Sequence, residues 1–276
     1  MSDLDTKRDQ LIQQIRSYGR CAVAYSGGVD SVVVAKAAQL ALGDAAVAVT
    51  GSSASLAAGE LEEARRLAEL IGIRHVVIET QEFNQPAYLR NAPDRCYHCK
   101  TELYTQLDGL AEKLGVDTIA NGANADDAAD YRPGMKAASE HQVRSPLAEC
   151  GLTKADVRAL AAAWQLPVWD KPATPCLSSR IAYGEEVTPA RLAMIDHAEQ
   201  FLRSLGLRVV RVRYHKGDVA RLEVPLEEIA WLCEPDRREA VATKLTSLGF
   251  KFVTIDLQGF RSGSLNSLVT LQTMEK

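Results

Sequence analysis

The stretch AYSGGVDS, residues 24–31, lies between an apolar run and a segment with helical periodicity. Two successive glycines after a strand allow the backbone to turn tightly, so that amide groups converge on an anion at the start of the following helix. The loop is not a Walker A motif, because no lysine follows the glycines and the spacing is too short. The stretch predicts a phosphate-binding turn, and the alternative is an ordinary glycine turn.

The segments on either side of this turn alternate between strand and helix patterns. Predicted strands span 20–25, 45–50, 74–80 and 116–121, and predicted helices span 4–18, 31–42, 58–71 and about 99–114. Continuous apolar strands separated by helices are typical of a parallel sheet covered on both faces, so the predicted fold class is α/β with a doubly wound sheet. Thr153-Lys154-Ala155-Asp156 has the spacing of a capping box, which predicts a further helix to about Trp164.

The pattern changes after LPVWDKPATPC (166–176), whose prolines indicate an irregular connection. A helix over 188–205, two strands around the turn at 216–218, a helix over 225–248 and a final strand at 250–257 follow. This order predicts a smaller antiparallel α+β domain. The predicted domains are residues 1–180, which contain the phosphate-binding turn, and residues 181–276.

Composition narrows the range of partners and compartments. The formal net charge of -4 over 276 residues argues against a general nucleic-acid-binding protein, which usually has an excess of basic residues. The first residues, MSDLDTKRDQLIQQI, contain no apolar core flanked by basic residues, so they predict neither a secretory signal nor a membrane span. We therefore expect a cytoplasmic protein without a membrane or nucleic-acid partner.

Three of the six cysteines lie in polar motifs. Cys96 and Cys99 form the Cys-x-x-Cys of RCYHCK, and Cys176 lies in TPCLSSR. A disulfide framework is not expected in a reducing compartment. An isolated Cys-x-x-Cys pair can indicate a metal site, a redox pair or chance, and His98 would allow a zinc site with four ligands.

The string SGGVDS in its strand–loop–helix context resembles the pyrophosphate loop (PP-loop) of the ATP-pyrophosphatase superfamily. The resemblance implies that ATP is cleaved between its α- and β-phosphates, which adenylates an oxygen of a second substrate. It also implies that Asp30 helps to place Mg²⁺, and that the ATP-binding residues are Ser26, Gly27, Gly28, Asp30 and Ser31. The acidic segment NGANADDAAD (121–130) resembles the second acidic signature of the superfamily, and a solvated acidic loop is the alternative.

Five further motifs occur in the order found in one PP-loop family. They are DYRPG (130–134), RSPL (144–147), KPATPCLSSR (171–180), RVR (211–213) and GFRSG (259–263). Together they resemble the LarE family, which makes the nickel-pincer nucleotide cofactor of lactate racemase. LarE proteins adenylate a carboxylate of pyridinium-3,5-biscarboxylic acid mononucleotide and then deliver sulfur, which gives a thiocarboxylate. The resemblance implies this small-molecule substrate and a homo-oligomer.

The resemblance also assigns roles to individual residues. Cys176 would take part directly in sulfur delivery, and Arg211 and Arg213 would hold the phosphate of the substrate. In one branch of the family this cysteine gives up its own sulfur and leaves dehydroalanine. In another branch two more cysteines accompany it, which implies that Cys96, Cys99 and Cys176 hold a [4Fe-4S] cluster with one open iron.

Residue chemistry adds a role beside the thiol. Arg180 and the nearby Lys171 would lower the pKa of the Cys176 thiol or stabilise an oxyanion, which makes Arg180 a candidate catalytic residue. Two other functions remain open from the sequence. One is a PP-loop tRNA thiolase, and the other is a non-catalytic nucleotide-binding protein with structural zinc.

Overall fold

The computed structural model describes residues 3–129, 133–261 and 263–266. The chain forms two compact units, one of Met1–Glu82 with Cys96–Thr174 and the other of Phe83–Arg95 with Pro175–Lys276. The second unit thus takes in a segment, 83–95, that precedes the Cys-x-x-Cys motif, which the sequence pattern did not indicate. The first three residues of the DYRPG motif and Ser262 of the GFRSG motif lie outside the described residues.

The first unit is built on a parallel sheet of four strands. They are β1 (Cys21–Ala24), β2 (Ala46–Ser52), β3 (Arg74–Glu79) and β4 (Thr118–Ala120). The order across the sheet is β3-β2-β1-β4, and every neighbouring pair is parallel. The predicted α/β fold class is confirmed.

Helices cover both faces of this sheet. Those of the first unit are, along the chain, α1 (Asp3–Arg16), α2 (Val29–Leu42), α3 (Glu60–Ile71), α5 (Arg95–Leu114), α6 (Pro133–Glu140), α7 (Pro146–Glu149) and α8 (Lys154–Ala163). The short helix between α3 and α5, α4 (Pro86–Leu89), belongs to the second unit. Successive residues of β1 enter opposite cores, because side chains alternate along a strand. Cys21 and Val23 pack into one core, while Ala22 and Ala24 pack into the other.

The strand order creates a topological switch point between β1 and β4. From β1 the chain continues to β2 and β3 on one side and then returns to β4 on the other side. In open α/β sheets, ligands bind in the crevice at the carboxyl ends of the strands on either side of such a point. The phosphate-binding turn follows β1 and the acidic segment follows β4, so both lie at this crevice.

Gly122 allows the segment after β4 to approach the start of α2 closely. A Cβ atom at this position would lie 2.8 Å from the backbone nitrogen of Ser31 and 3.0 Å from the carbonyl carbon of Asp30. Both neighbours are backbone atoms at the first turn of α2, which has little freedom to move aside. Only glycine fits this contact without a displacement of the turn.

The second unit contains the helix α9 (Pro189–Ser204) and a sheet of three strands. The strands are β5 (Arg211–His215), β6 (Val219–Glu223) and β7 (Phe252–Ile255), in the order β5-β6-β7. The predicted hairpin is confirmed, since β5 and β6 are antiparallel. The prediction of a wholly antiparallel unit is wrong, because β7 is parallel to β6. A helical crossover connects these two strands, as parallel pairing requires.

The predicted helix over 225–248 is two helices, α10 (Leu226–Leu232) and α11 (Pro235–Ser247). Pro235 is the first residue of α11. Proline has no backbone N–H and restricts the residue before it to extended conformations, so a helix cannot continue through it without loss. The sequence prediction missed this interruption.

No described helix is long and apolar enough to cross a membrane.

We expect Gly122→Ala to destabilise the first unit, because the added methyl group overlaps the backbone of α2. Overpacking of this kind costs about 1–3 kcal/mol, which differential scanning calorimetry would detect as a lower melting temperature.

Gly109→Ala is the matched control, because Gly109 is exposed within α5 and a Cβ there meets no atom within 4 Å. This change should stabilise the protein by about 0.5–1 kcal/mol through helix propensity. Equal melting temperatures for the two variants would contradict the proposed close contact.

Candidate active site

The predicted phosphate-binding turn has the geometry of an anion cradle. Gly27 has a φ of 73°, a conformation that favours glycine, and a Cβ there would lie 3.2 Å from the Cβ of Ala64. Gly28 is the N-cap of α2, whose first residues follow directly. The unpaired amide groups of this first turn and the helix dipole favour an anion at the turn.

Two serine hydroxyl groups brace the turn. The hydroxyl of Ser31 donates to the carbonyl of Gly28 at 2.9 Å and accepts from the backbone N–H of Ser26 at 3.2 Å. The hydroxyl of Ser26 lies 3.2 Å from that of Ser31. Ser26 is exposed while Ser31 is buried, so only Ser26 has its side chain open to solvent.

Asp30 extends from the first turn of α2 towards the segment after β4. Asn124 Nδ2 donates to Asp30 Oδ1 at 3.1 Å, and the ammonium group of Lys154 donates to Asp30 Oδ2. The amide of Asn124 is oriented by its own contacts, because its Oδ1 accepts from the backbone N–H of Asp126 at 3.0 Å. The acidic segment and the phosphate-binding turn therefore form one connected network.

These donors and acceptors suit a magnesium triphosphate. Mg²⁺ prefers oxygen ligands and is usually held by one or two carboxylates together with the phosphates of a nucleotide. The carboxylate of Asp30 is partly exposed beside the amide groups of the turn. The residues at this crevice thus fit both ATP and Mg²⁺.

Cys96 and Cys99 lie in the first turns of α5. Residues three apart on a helix share a face, so the two thiols are neighbours on one side of α5. Cys96 is exposed and Cys99 is half-buried. Their soft thiolate chemistry suits iron or zinc, but no group of three metal-binding side chains is assembled within 3–129, 133–261 and 263–266.

Cys176 is exposed at the start of a short 3₁₀ turn, Leu177–Arg180, in the second unit. The carbonyl of Cys176 accepts from the backbone N–H of Ser179 at 3.0 Å and from its hydroxyl at 2.7 Å. The backbone of this cysteine loop, residues 175–180, is thereby held in a turn that leaves the thiol accessible.

Arg180 lies beneath the loop and is completely buried. Its guanidinium group donates to the carbonyl of Cys176 at 2.8 Å and to the carbonyl of Pro175, and its Nε donates to Glu199 Oε1 at 3.1 Å. Burial opposes the ionisation of Glu199, but the charge and hydrogen bonds of Arg180, together with the charges of two further arginines, outweigh it and leave the pKa of Glu199 below its usual value. The sequence predicted the arginine but not its buried partner.

Arg211 and Arg213 lie on one face of β5, as predicted, but both are buried. The Nε of Arg213 donates to Glu223 Oε2 at 2.9 Å, and its Nη1 donates to the carbonyl of Ser179 in the cysteine loop at 3.0 Å. Burial, followed by the nearby charge of Arg180, lowers the pKa of Arg211 to about 10. Both residues are therefore part of a buried charged layer beside the cysteine loop.

The segment 83–95 supplies contacts that sequence reasoning missed. The hydroxyl of Tyr88 lies 2.7 Å from the hydroxyl of Ser178, and Arg95 Nη1 donates to the carbonyl of Ser178 at 2.7 Å. Asn91 Nδ2 donates to the carbonyl of Ala182 at 2.9 Å. In the sequence, the one hint that this segment has a role was the position of Arg95 immediately before Cys96.

Lys171 is paired with two carboxylates of α3. It lies in the first unit, where its ammonium group pairs with Glu60 at 3.0 Å and with Glu63 at 2.6 Å. Burial acts to lower the pKa of Lys171, but its hydrogen bonds with the two carboxylates prevail and raise the pKa. Lys171 is a structural cation that joins the proline-rich segment to α3.

Comparison with known proteins places this geometry in a family. No family model matches the chain. The chain is 45% identical over 267 residues to an uncharacterized protein of Synechocystis sp., with 97% of this chain and 99% of that protein covered. It is 29% identical over 307 aligned positions to a tRNA-specific 2-thiouridylase MnmA of Cereibacter sphaeroides, with 93% and 80% covered.

A third relative has a name that states its product. The chain is 40% identical over 273 residues to the pyridinium-3,5-bisthiocarboxylic acid mononucleotide synthase of Lactiplantibacillus plantarum, with 98% of this chain and 97% of that protein covered. This identity extends over nearly the whole length of both chains, and so it includes the phosphate-binding turn and the cysteine loop described above. The chain belongs to the LarE family of the PP-loop ATP-pyrophosphatase superfamily.

Proposed function

We propose that this protein is an ATP-dependent sulfur transferase that converts a carboxylate of a pyridinium mononucleotide into a thiocarboxylate, in the biosynthesis of the nickel-pincer nucleotide cofactor. The 40% identity to the synthase of Lactiplantibacillus plantarum carries this proposal. The anion cradle formed by Gly27, Gly28 and the start of α2 supports the use of ATP. The exposed thiol of Cys176 supports the transfer of sulfur.

The first step activates the carboxylate. One of its oxygens attacks the α-phosphorus of ATP, the bond to the β-phosphate side breaks, and pyrophosphate leaves. The turn at Ser26, Gly27 and Gly28 holds the β- and γ-phosphates, with a hydrogen bond from the exposed Ser26 hydroxyl, while Ser31 braces the turn and Asp30 orients Mg²⁺. The product is an acyl adenylate, in which AMP replaces oxide as the leaving group.

The second step forms the carbon–sulfur bond. If the thiolate of Cys176 attacks the acyl carbon, AMP leaves and a thioester forms. Loss of the α-proton of Cys176 and cleavage of its Cβ–Sγ bond then release the thiocarboxylate and leave dehydroalanine. If hydrosulfide attacks instead, AMP leaves, one proton is released and the protein chain is unchanged. Mass spectrometry after turnover distinguishes the two routes through the loss of one H₂S from Cys176.

We assign the hydrosulfide route to this protein, with Cys96, Cys99 and Cys176 as the ligands of a [4Fe-4S] cluster. Cys96 and Cys99 share a face of α5. Such a cluster would supply sulfide sulfur without consumption of a protein thiol.

The residues beneath the cysteine loop act through it. Arg180 donates to the carbonyl groups of Pro175 and Cys176, so we assign it the role of holding the thiol towards the acyl carbon. Arg211 and Arg213, which lie in the same buried layer, are assigned to the phosphate of the substrate. Homo-oligomeric assembly and a cytoplasmic location remain predictions.

A tRNA thiolase is the second candidate, because the thiouridylase MnmA of Cereibacter sphaeroides is 29% identical to this chain. The lower identity and the net charge of -4 favour the small-molecule substrate instead. A structural zinc site is the alternative for the Cys-x-x-Cys pair.

We expect Cys176→Ala to release pyrophosphate from ATP in the presence of the pyridinium substrate but to form no thiocarboxylate. The phosphate-binding turn is untouched, whereas the sulfur nucleophile or ligand is lost. A coupled pyrophosphate assay and mass spectrometry of the nucleotide product measure the two steps separately. Cys233→Ala is the matched control, because Cys233 is also exposed in the second unit. If Cys176→Ala forms the thiocarboxylate as the wild type does, Cys176 has no role in sulfur transfer.

Anaerobically purified protein should be brown and contain about four iron atoms per chain. Cys96→Ala should lose both the colour and the iron, because one of the three thiolates is removed. Cys150→Ala, which changes a half-buried cysteine outside the proposed ligand set, should keep both. If the purified protein is colourless and plasma emission spectrometry finds stoichiometric zinc, the cluster assignment is wrong and the cysteines hold a structural zinc ion.

Arg211→Ala should raise the substrate KM by about 10- to 150-fold, equivalent to the loss of a charged hydrogen bond of about 1.5–3 kcal/mol. Arg208→Ala, a change of an exposed arginine on the same segment, should leave KM unchanged. Because Arg211 is buried, circular dichroism must first show that the variant melts cooperatively, and Arg211→Lys supplies a second variant with the charge retained. An unchanged KM in folded Arg211→Ala would contradict the assignment.

A further inference from the structure

The phosphate-binding turn contains no lysine of its own, yet the tertiary structure brings one to it. Lys154 is the first residue of α8, more than a hundred residues beyond the turn, and its ammonium group pairs with the carboxylate of Asp30. In Walker A loops a lysine within the loop reaches the β- and γ-phosphates. Lys154 supplies the same kind of cation from a different part of the chain.

The position of Lys154 is held by its own helix. The capping box of α8 is complete, since the Thr153 side chain accepts from the backbone N–H of Asp156 and the Asp156 side chain accepts from that of Thr153. The backbone N–H of Lys154 donates to Asp126 Oδ2 at 2.8 Å. The base of the lysine side chain is therefore fixed, while its end reaches Asp30.

The pair with Asp30 can exchange partners. The side chains of Lys154 and Asp30 are 36% and 25% exposed, so water can solvate both groups when the pair breaks. Partly exposed ion pairs of this kind contribute little net stability. Asp30 also keeps a neutral hydrogen bond from Asn124.

A metal ion at Asp30 would change the balance of charge. A divalent cation on the carboxylate would repel an ammonium group a few ångströms away, because like charges so close raise the free energy of both. The triphosphate that accompanies the metal is an anion of higher charge than one carboxylate. The ammonium group then has a stronger partner on the phosphate chain than on Asp30.

We infer that Lys154 is an exchangeable counter-ion of the ATP site. Without nucleotide it neutralises Asp30, and when magnesium triphosphate binds it leaves Asp30 to the metal and pairs with a phosphate oxygen. This inference rests on the proposed use of ATP by the same site. Lys154 is thus both a competitor of the free metal and a ligand of the metal–nucleotide complex.

The two roles predict that Lys154→Gln changes the affinity for the free metal and the affinity for the metal–nucleotide complex in opposite directions. Binding of Mn²⁺ alone, followed by electron paramagnetic resonance, should become several-fold tighter because the competing ammonium group is gone. Binding of the magnesium complex of α,β-methylene-ATP, measured by isothermal titration calorimetry, should weaken by on the order of tenfold to a hundredfold because a charged hydrogen bond is lost. Lys154→Arg should recover most of the nucleotide affinity because it keeps the charge.

Lys7→Gln is the matched control. Lys7 pairs with Asp156 on the first turn of the same helix at 3.0 Å, with side chains 26% and 18% exposed, and it does not contact Asp30. Both affinities should equal those of the wild type in this variant. The inference is overturned if folded Lys154→Gln lacks either shift, or if Lys7→Gln reproduces both. If the wild-type protein itself binds no α,β-methylene-ATP, the proposed function fails, which is a different result.

Discussion

The proposed nucleotide site depends on one close backbone contact, that of Gly122 with the first turn of α2. Because no side chain separates them, the segment after β4 lies directly on Ser31 and Asp30. Asn124 can then reach the carboxylate of Asp30, and Asp126 can hold the first residue of α8. A carboxylate, an amide, an ammonium group and a set of helix N-terminal amides converge at the switch point of the sheet. A larger residue at position 122 would separate these groups.

A different constraint governs the cysteine loop in the second unit. Arg180 and Glu199 are completely buried, and Arg213 is nearly so beside the buried Glu223. Isolated charges would be very unfavourable in this position, and they are tolerated because each is paired and hydrogen-bonded. The result is a rigid layer in which Arg180 and Arg213 each donate to carbonyl groups of the loop. Cys176 remains exposed on a backbone that this layer holds from below.

Local signals in the sequence predicted most elements of the fold. The four strands of the first unit, its helices α1, α2, α3, α5 and α8, and the hairpin of β5 and β6 follow from hydrophobic periodicity, capping residues and turn residues, which act over a few positions. The short helices α6 and α7 were not predicted. The signal for the interruption at Pro235 is equally local, but the prediction of one helix over 225–248 did not take it into account. The parallel direction of β7 was not local, because it depends on the end of the sheet to which α10 and α11 return the chain.

By itself, the sequence determined the α/β class, the glycine turn to which we assign phosphate binding, and the thiols available for sulfur chemistry, since these depend on the residue types present and on their near neighbours. Only the tertiary structure decided which distant residues meet. It brought Lys154 and Asn124 to Asp30, Glu199 to Arg180, and the segment 83–95 to Ser178. The members of these pairs are separated by 19 to 124 residues and carry no periodic signal. They form because buried or half-buried charges must find partners wherever the packed chain places them.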